Sequence, residues 1–465
     1  MNDLWELVQT FTAKEKRACK KYLRKVIEGG ESKERKLFDL ILQGEGKDAI
    51  HEKLFPGKLP KDSGFRELNS QLLKRLKPFL IQEFLSRNNI ERERLFLKIL
   101  EERGQSFRFN RERNKLIKSL EKGSAGPEFH FYAYELAQEA YNHHRLEAKK
   151  LNSSVFQAMD ENLDRLWIFE KLQLAITHAQ LVRKLGAEAT LRPAFLDELL
   201  WELKQSDSSL LKQPGVKLMR DVYLIQINEK VPEPTSLKKA FLADQKSLSL
   251  ELRQFLFDNV SNILVRQATD TYQKEEIYKA YDWYKLGMES GIIYRNEILN
   301  HFHYQNIIHY AILLERKEEA QSLIDRETSK LMEMYQQPYS QLAKAILAYS
   351  QGNFSTVHRL SQYAYPSPYV EINITFLMIR VTYDTEPHSL VTRDHVLSYL
   401  QRINMRIRSA KDMGEVMKEM LNKRRLQFNA LVQARTKEAR MSLREKINSQ
   451  PPTVDTAWFL KHLDD

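Results

Sequence analysis

PYSQLAKAILAYSQGNFSTVHRLSQYAYPSP, residues 338–368, is the stretch on which the fold turns. An apolar-periodic segment carries the small residue Ala345, a Gly352-Asn353-Phe354 break follows, and a second periodic segment stops at Pro366 and Pro368. That is helix, tight turn, helix. Residues 301–385 repeat the pattern, and units of this kind bury their apolar faces by stacking on one another.

Outward from it, helices are expected in pairs: roughly 246–268 with 273–289, 297–314 with 317–335, 339–350 with 355–365, then 370–383. The interval is near the 34 residues of a tetratricopeptide (TPR) unit. With Gly352 at position 15 of such a unit, Ala345 falls at the small position 8, Phe354 at 17, Val357 at 20 and Ala364 at 27. Ala320 registers the preceding unit, which then begins at His301, 37 residues before Pro338. The expected fold is all-α: an α-solenoid of paired antiparallel helices, built from degenerate TPR-like repeats, with a basic helical N-terminal region.

Composition agrees. Among 465 residues there are 15 Gly and 14 Pro, too few for the turns of an all-β chain, and no convincing β-branched alternation. The single Cys19 rules out an intramolecular disulfide and an all-cysteine metal site. The opening MNDLWELVQTFTAKEKR lacks a leader-like apolar core, and the most apolar stretch, VEINITFLMIRV (370–381), is interrupted by Glu371, Asn373 and Arg380. A cytoplasmic location with no membrane span is therefore expected.

Four regions are expected: a basic helical region at 1–125, a helical middle at 126–236, the repeats at 237–389, and a basic helical hairpin with a closing helix at 390–465. Residues 1–125 hold 29 Lys/Arg against 19 Asp/Glu, and 393–447 hold 14 against 6. The intervening 126–392 hold 29 against 34, so a net +11 is carried by the two ends. Gly123-Ser124-Ala125-Gly126-Pro127 marks the first boundary and VPEPTS (231–236) a second. Thr12 and Glu15 form an expected capping box, Pro78 should bend or interrupt a long helix, and Pro193 and Pro214 stand as helix openers. LDRLWIFEKLQLAITHAQLVRKLG (163–186) is apolar on more than one face and should be central. In TAWFLKHLDD, Trp458, Phe459 and Leu463 are spaced to close an exposed core.

Catalytic and metal constellations are sought and not found. His51-Glu52 begins a zinc-protease pattern, but Phe55 stands where the second histidine belongs. His301 and His303 point about 200° apart on one helix, and His301 and His309 are two turns apart, so neither pair shares an ion. His143-His144 is no better. Cys19 lies among Lys16, Arg17, Lys20 and Lys21, yet on the apolar face, as a buried inert thiol would. Met413, Met417 and Met420 read as core. No cofactor is expected, and no enzyme.

The segment GMESGIIYRNEILNHFHYQNIIHYAILLERKEEAQSLI, the SQGNFSTVHRLSQ turn, the closing TAWFLKHL and the LVQTFTAKEKRACKKYL-like opening together resemble uncharacterised bacterial TPR-like proteins. The resemblance implies an α-solenoid serving as a protein–protein interaction scaffold and no activity. By it, the first helix of each unit lines a groove: Phe302, Gln305, His309 and Ile312, with Asn306 adjacent, then Tyr339, Leu342, Ile346 and Tyr349. The Lys and Arg that clamp a terminal carboxylate in some TPR proteins are missing, which favours an apolar or helical partner. The alternative is nucleic acid held by the basic ends, with Arg402, Arg406, Lys423, Arg424 and Arg425 as a patch on the C-terminal one.

Overall fold

Helix starts in this chain are set by local chemistry that survives into the folded state. In the computed structural model, Thr12 Oγ1 accepts from the Glu15 amide at 3.2 Å while Glu15 Oε2 accepts from the Thr12 amide at 2.7 Å. Both halves of the expected capping box are made. The structure describes residues 3–27, 32–57, 63–121, 126–146, 153–185, 193–205, 209–227, 234–387, 389–411, 413–450 and 453–464. Gly123–Ala125, residues 231–233 of VPEPTS and the side chains of His143 and His144 lie outside them.

The described residues are overwhelmingly α-helical, and the chain divides into two compact units, Met1–Ser119 with Asn142–Lys149, and Leu120–Tyr141 with Lys150–Asp465. In the first, α1 (Asp3–Gln9), α2 (Ala13–Val26), α3 (Lys33–Leu42), α4 (Lys47–Leu54) and α5 (Ser63–Arg87) close one core around Leu37, Phe38, Leu72 and Leu76. α6 (Asn89–Glu102) and α7 (Ser106–Glu121) follow. Cys19 is fully buried in that core, which pushes its thiol up to about 12, so it is inert as expected. His51 is likewise a core residue, packed edge-on against Phe65. Pro78 does not interrupt α5, which runs on to Arg87.

The second unit begins with α8 (Pro127–Leu146), α9 (Ser153–Leu185), α10 (Leu196–Lys204), α11 (Val216–Gln226), α12 (Pro234–Asp244), α13 (Leu250–Thr271) and α14 (Lys274–Glu289). Pro193 and Pro214 are not first-turn residues: α10 starts after Phe195 and α11 after Gly215, both left-handed, so each chain turns before its helix begins. α9 buries one face, with Phe169, Leu172 and Ile176, but leaves the other exposed, and so is less central than its sequence suggests. At Gly287 an added Cβ would stand 2.3 Å from the Phe257 ring, which lets α14 close on α13 and stack Trp283 on Phe257 at 5.3 Å.

A two-residue hairpin, β1 (Tyr294–Arg295) with β2 (Ile298–Leu299), interrupts the helices through Asn296 and Glu297, both at positive φ. Beyond it come α15 (His301–Leu313), α16 (Lys317–Glu327), α17 (Glu333–Ser350), α18 (Phe354–Ser361) and α19 (Pro368–Thr385). α15 packs on α17 and α17 on α19, while α16 and α18 each lie against the helix before and the helix after. The two tight turns are the same turn. The Gly352 amide donates to Tyr349 O at 3.0 Å and the Asn353 amide to Ala348 O at 2.9 Å. Thirty-seven residues earlier Glu315 donates to Ile312 O and Arg316 to Ala311 O, both at 2.9 Å.

The end of the chain is three helices rather than a hairpin, α20 (Leu390–Ser409), α21 (Glu415–Gln433) and α22 (Lys437–Asn448), closed by α23 (Thr456–Asp464). Trp458, Phe459 and Leu463 bury against a core that includes Phe376 and Phe428, as expected of a closing helix. Met413 and Met417 pack on that core, but Met420 is exposed.

Candidate functional site

One face of α15 carries Phe302, Gln305, Asn306 and His309, spaced so that they lie one above another along about 10 Å. Asn300 fixes where the helix begins, its side chain accepting from the Phe302 amide at 2.8 Å. The face has two unlike ends.

At its N-terminal end the surroundings are aromatic. The His301 ring lies 4.2 Å from Phe302, 4.2 Å from Tyr335 and 4.7 Å from Tyr339, and Tyr369 of α19 meets both Phe302 and Tyr339. Burial takes the His301 imidazole down to about 4, so it is neutral at physiological pH. Phe302 is nonetheless 47 % exposed, and Met334, beside Tyr335, is 63 % exposed. Gln305 reaches the Tyr369 hydroxyl, and Asn306 Nδ2 donates to the Tyr284 hydroxyl at 3.1 Å. His303 points away, to Asp258 at 3.1 Å.

At the other end His309 lies within the electrostatic reach of Arg380, Arg424 and Asp455. Burial, then the two guanidinium charges, pull its imidazole down to about 4. Asp455 is fully buried and accepts from Arg380 Nη2 and from Arg424 Nε and Nη2. Arg424 also donates to Asn373 at 2.9 Å and lies 4.1 Å from the Phe376 ring centre, and Arg380 also donates to Val454 O at 2.9 Å. Burial alone would raise the Asp455 carboxyl, but the Arg424 and Arg380 charges hold it below the ordinary carboxylate range. Asp384 forms a second knot, accepting from Tyr349 at 2.6 Å, Trp458 Nε1 at 3.0 Å and His462 Nε2 at 2.7 Å. Since a carboxylate only accepts, the Nε2 of His462 carries the proton. Each of these side chains is engaged within the chain, and the arrangement fastens α23 to α19 and α21.

The expected groove residues therefore separate. Phe302 is open, and Gln305, Asn306, His309, Ile346 and Tyr349 are half-buried. Ile312 is buried, and Tyr339 and Leu342 are core and cannot meet a partner. The reason is that α17 begins at Glu333, five residues before the repeat register would start it, and is covered by α15, α18 and α19. Of the expected basic patch, Arg402 and Arg406 both pair with Glu371, at 2.9 and 2.7 Å, and Arg425 donates to Asn422 at 2.9 Å. Arg424 is an interior ion-pair partner, and only Lys423 is freely exposed.

A scan of family models and searches of curated proteins and solved structures match nothing.

Arg380, Asp384, Asp455 and Tyr369 escaped notice as site residues. For Arg380 the signal was present, a lone charge in an otherwise apolar helix, which demands a buried counter-charge. The Asp455 carboxylate, just ahead of α23, turns inward to the two arginines. Among the described residues no group of three His, Cys, Asp or Glu side chains is placed to hold a metal, and no helix is long and apolar enough to cross a membrane. A cavity of about 600 Å³ opens between α8, α9 and α13, lined by Glu128, Phe131, Glu170 and Glu251 among others.

Proposed function

We propose that this chain is a non-enzymatic α-solenoid of degenerate TPR-like repeats that holds a protein or peptide partner against the aromatic end of α15. The repeat reading is supported by the α15–α17–α19 packing, with α16 and α18 each between two of them, and by the identical turns at Glu315 and Gly352. The observation that carries the site is Phe302: a large aromatic side chain left half exposed while every neighbouring ring is packed, beside the neutral amides of Gln305 and Asn306. Such a surface suits an apolar or helical segment anchored by a bulky side chain. Nucleic acid is the second reading; it relies on the basic ends, and Arg402, Arg406 and Arg424, three of the five residues of the C-terminal patch, are occupied by Glu371 and Asp455.

The test is a photo-crosslinking residue in place of Phe302, with the same residue at exposed Leu390 of α20 as control, in cells that make the full chain. A protein adduct formed from position 302 and not from 390 is expected. Adducts to nucleic acid, or the same adducts from both positions, overturn the reading.

A further inference from the structure

α9 has two apolar faces and only one is covered. Ile168, Phe169, Leu172, Ala175, Ile176 and Ala179 are buried within the unit. On the open side stand Phe156, Leu163, Trp167, Leu174 and Leu181, each between 39 and 63 % exposed. At 100° per residue these five fall within about 40° of one another, a straight stripe about 37 Å long. Their spacing is that of alternating coiled-coil seam positions, with Asp160, Glu170 and Thr177 in the remaining places.

The stripe is also its own mirror. Phe156 and Leu181, Leu163 and Leu174, and Trp167 and Glu170 are each equidistant from a point midway between residues 168 and 169, as are Asp160 and Thr177. A second α9 laid antiparallel across that point brings Phe156 to Leu181 of the other copy and Leu163 to its Leu174, on both sides of a two-fold axis. Beside the seam the same operation places Asp164 about 3 Å in height from Lys171 of the other copy, twice. Neither has an ion partner within its own chain among the described residues, and Lys171 lies over its own Trp167 at 5.9 Å, facing the incoming Glu170. The five apolar side chains expose on the order of 450 Å² per copy; with their polar flanks this approaches the roughly 800 Å² per partner of a standard specific interface.

We propose that α9 is the two-fold interface of a homodimer, an antiparallel helix pair whose seam is this stripe. Because Leu166, Glu170 and Gln173 of α9 also line the cavity between α8, α9 and α13, the partner's helix would cover one edge of that cavity.

The full chain is weighed by light scattering at micromolar concentration, alone and with L163E/L174E. Twice the 54.9 kDa chain mass is expected for the wild type and a folded monomer for the variant, with the helical circular dichroism unchanged because both positions are exposed. D164K alone is expected to weaken the dimer at least tenfold, and D164K/K171D to restore it. Mixed L163C and L174C chains should form an intermolecular disulfide that neither forms alone; the buried Cys19 does not compete. A monomeric wild type, a dimer indifferent to L163E/L174E, or a disulfide from L163C alone, which marks a parallel pair, each overturns the proposal.

Discussion

The two ends of the α15 face differ in how they use their polar and aromatic groups. Around His309 the Asp455 carboxylate is shared by Arg380 and Arg424 within the chain, and aromatic rings close over the arginines. Around Phe302 the rings pack on one another, and among the described residues no ion pair bridges them. One end is a fastening and the other is left open to solvent, although the two lie on one helix two turns apart. An arginine near a groove is therefore no guide to a ligand until its own partner is known.

The largest expected effect comes from breaking the fastening. Asp455→Ala leaves two arginines without their shared counter-charge in a buried site, which costs on the order of 3–5 kcal/mol. Urea unfolding followed by tryptophan fluorescence measures it, since Trp458 sits on the helix that the pair holds. A loss below about 1 kcal/mol would mean that apolar packing and the Asp384 hydrogen bonds hold α23 without the Asp455 pair.

Acid distinguishes the ends by mechanism. His301 and His309 both have folded values of about 4, against about 6.5 when unfolded, so the unfolded chain takes up their protons first. Their contribution is complete above pH 6.5 and is lost as pH falls from there to about 4. Asp455 and Asp384 are held below the carboxylate range, so their contribution is present above roughly pH 4 and disappears only as pH drops through their folded values. Stability should thus decline in two stages. His309→Gln should remove on the order of 1–2 kcal/mol of the first stage, after allowance for the ring's partial exposure, and leave the second intact. Denaturant midpoints taken between pH 7 and pH 3 check this, and an unaltered upper stage would show that His309 is already protonated in the fold.

What the sequence made legible follows from the range over which its signals act. The all-helical character, the Thr12–Glu15 cap and the burial of Trp458 follow from local patterns of period and capping, and all three are present. Left-handed Glu315 was illegible, because the turn it makes ordinarily advertises itself with glycine, as at Gly352. Which groove residues are open was also illegible. Tyr339 and Leu342 share the helical spacing of Phe302 and Gln305, and only the third helix laid over α17 makes them core. Arg424 illustrates the same limit for charge, since Asp455 is 31 residues away in sequence and joins it only when the fold is complete.

The smallest expected effect on stability belongs to the open end. Phe302→Ala removes a ring that already keeps 47 % of its surface in water and whose contacts are with rings that retain one another. The cost should be about 1 kcal/mol, well under the 3–5 kcal/mol of a buried phenylalanine, with the pH profile unchanged. Were the end a fastening like its counterpart, the loss would approach that of Asp455→Ala. A small loss in the same urea assay, together with loss of the crosslinked partner when alanine variants of Gln305 and Asn306 carry the probe at 302, separates a surface kept for contact from one kept for the fold. Retention of stability without the crosslinked partner would instead place Phe302 among the ordinary exposed apolar side chains of the chain, such as Phe107 and Phe195.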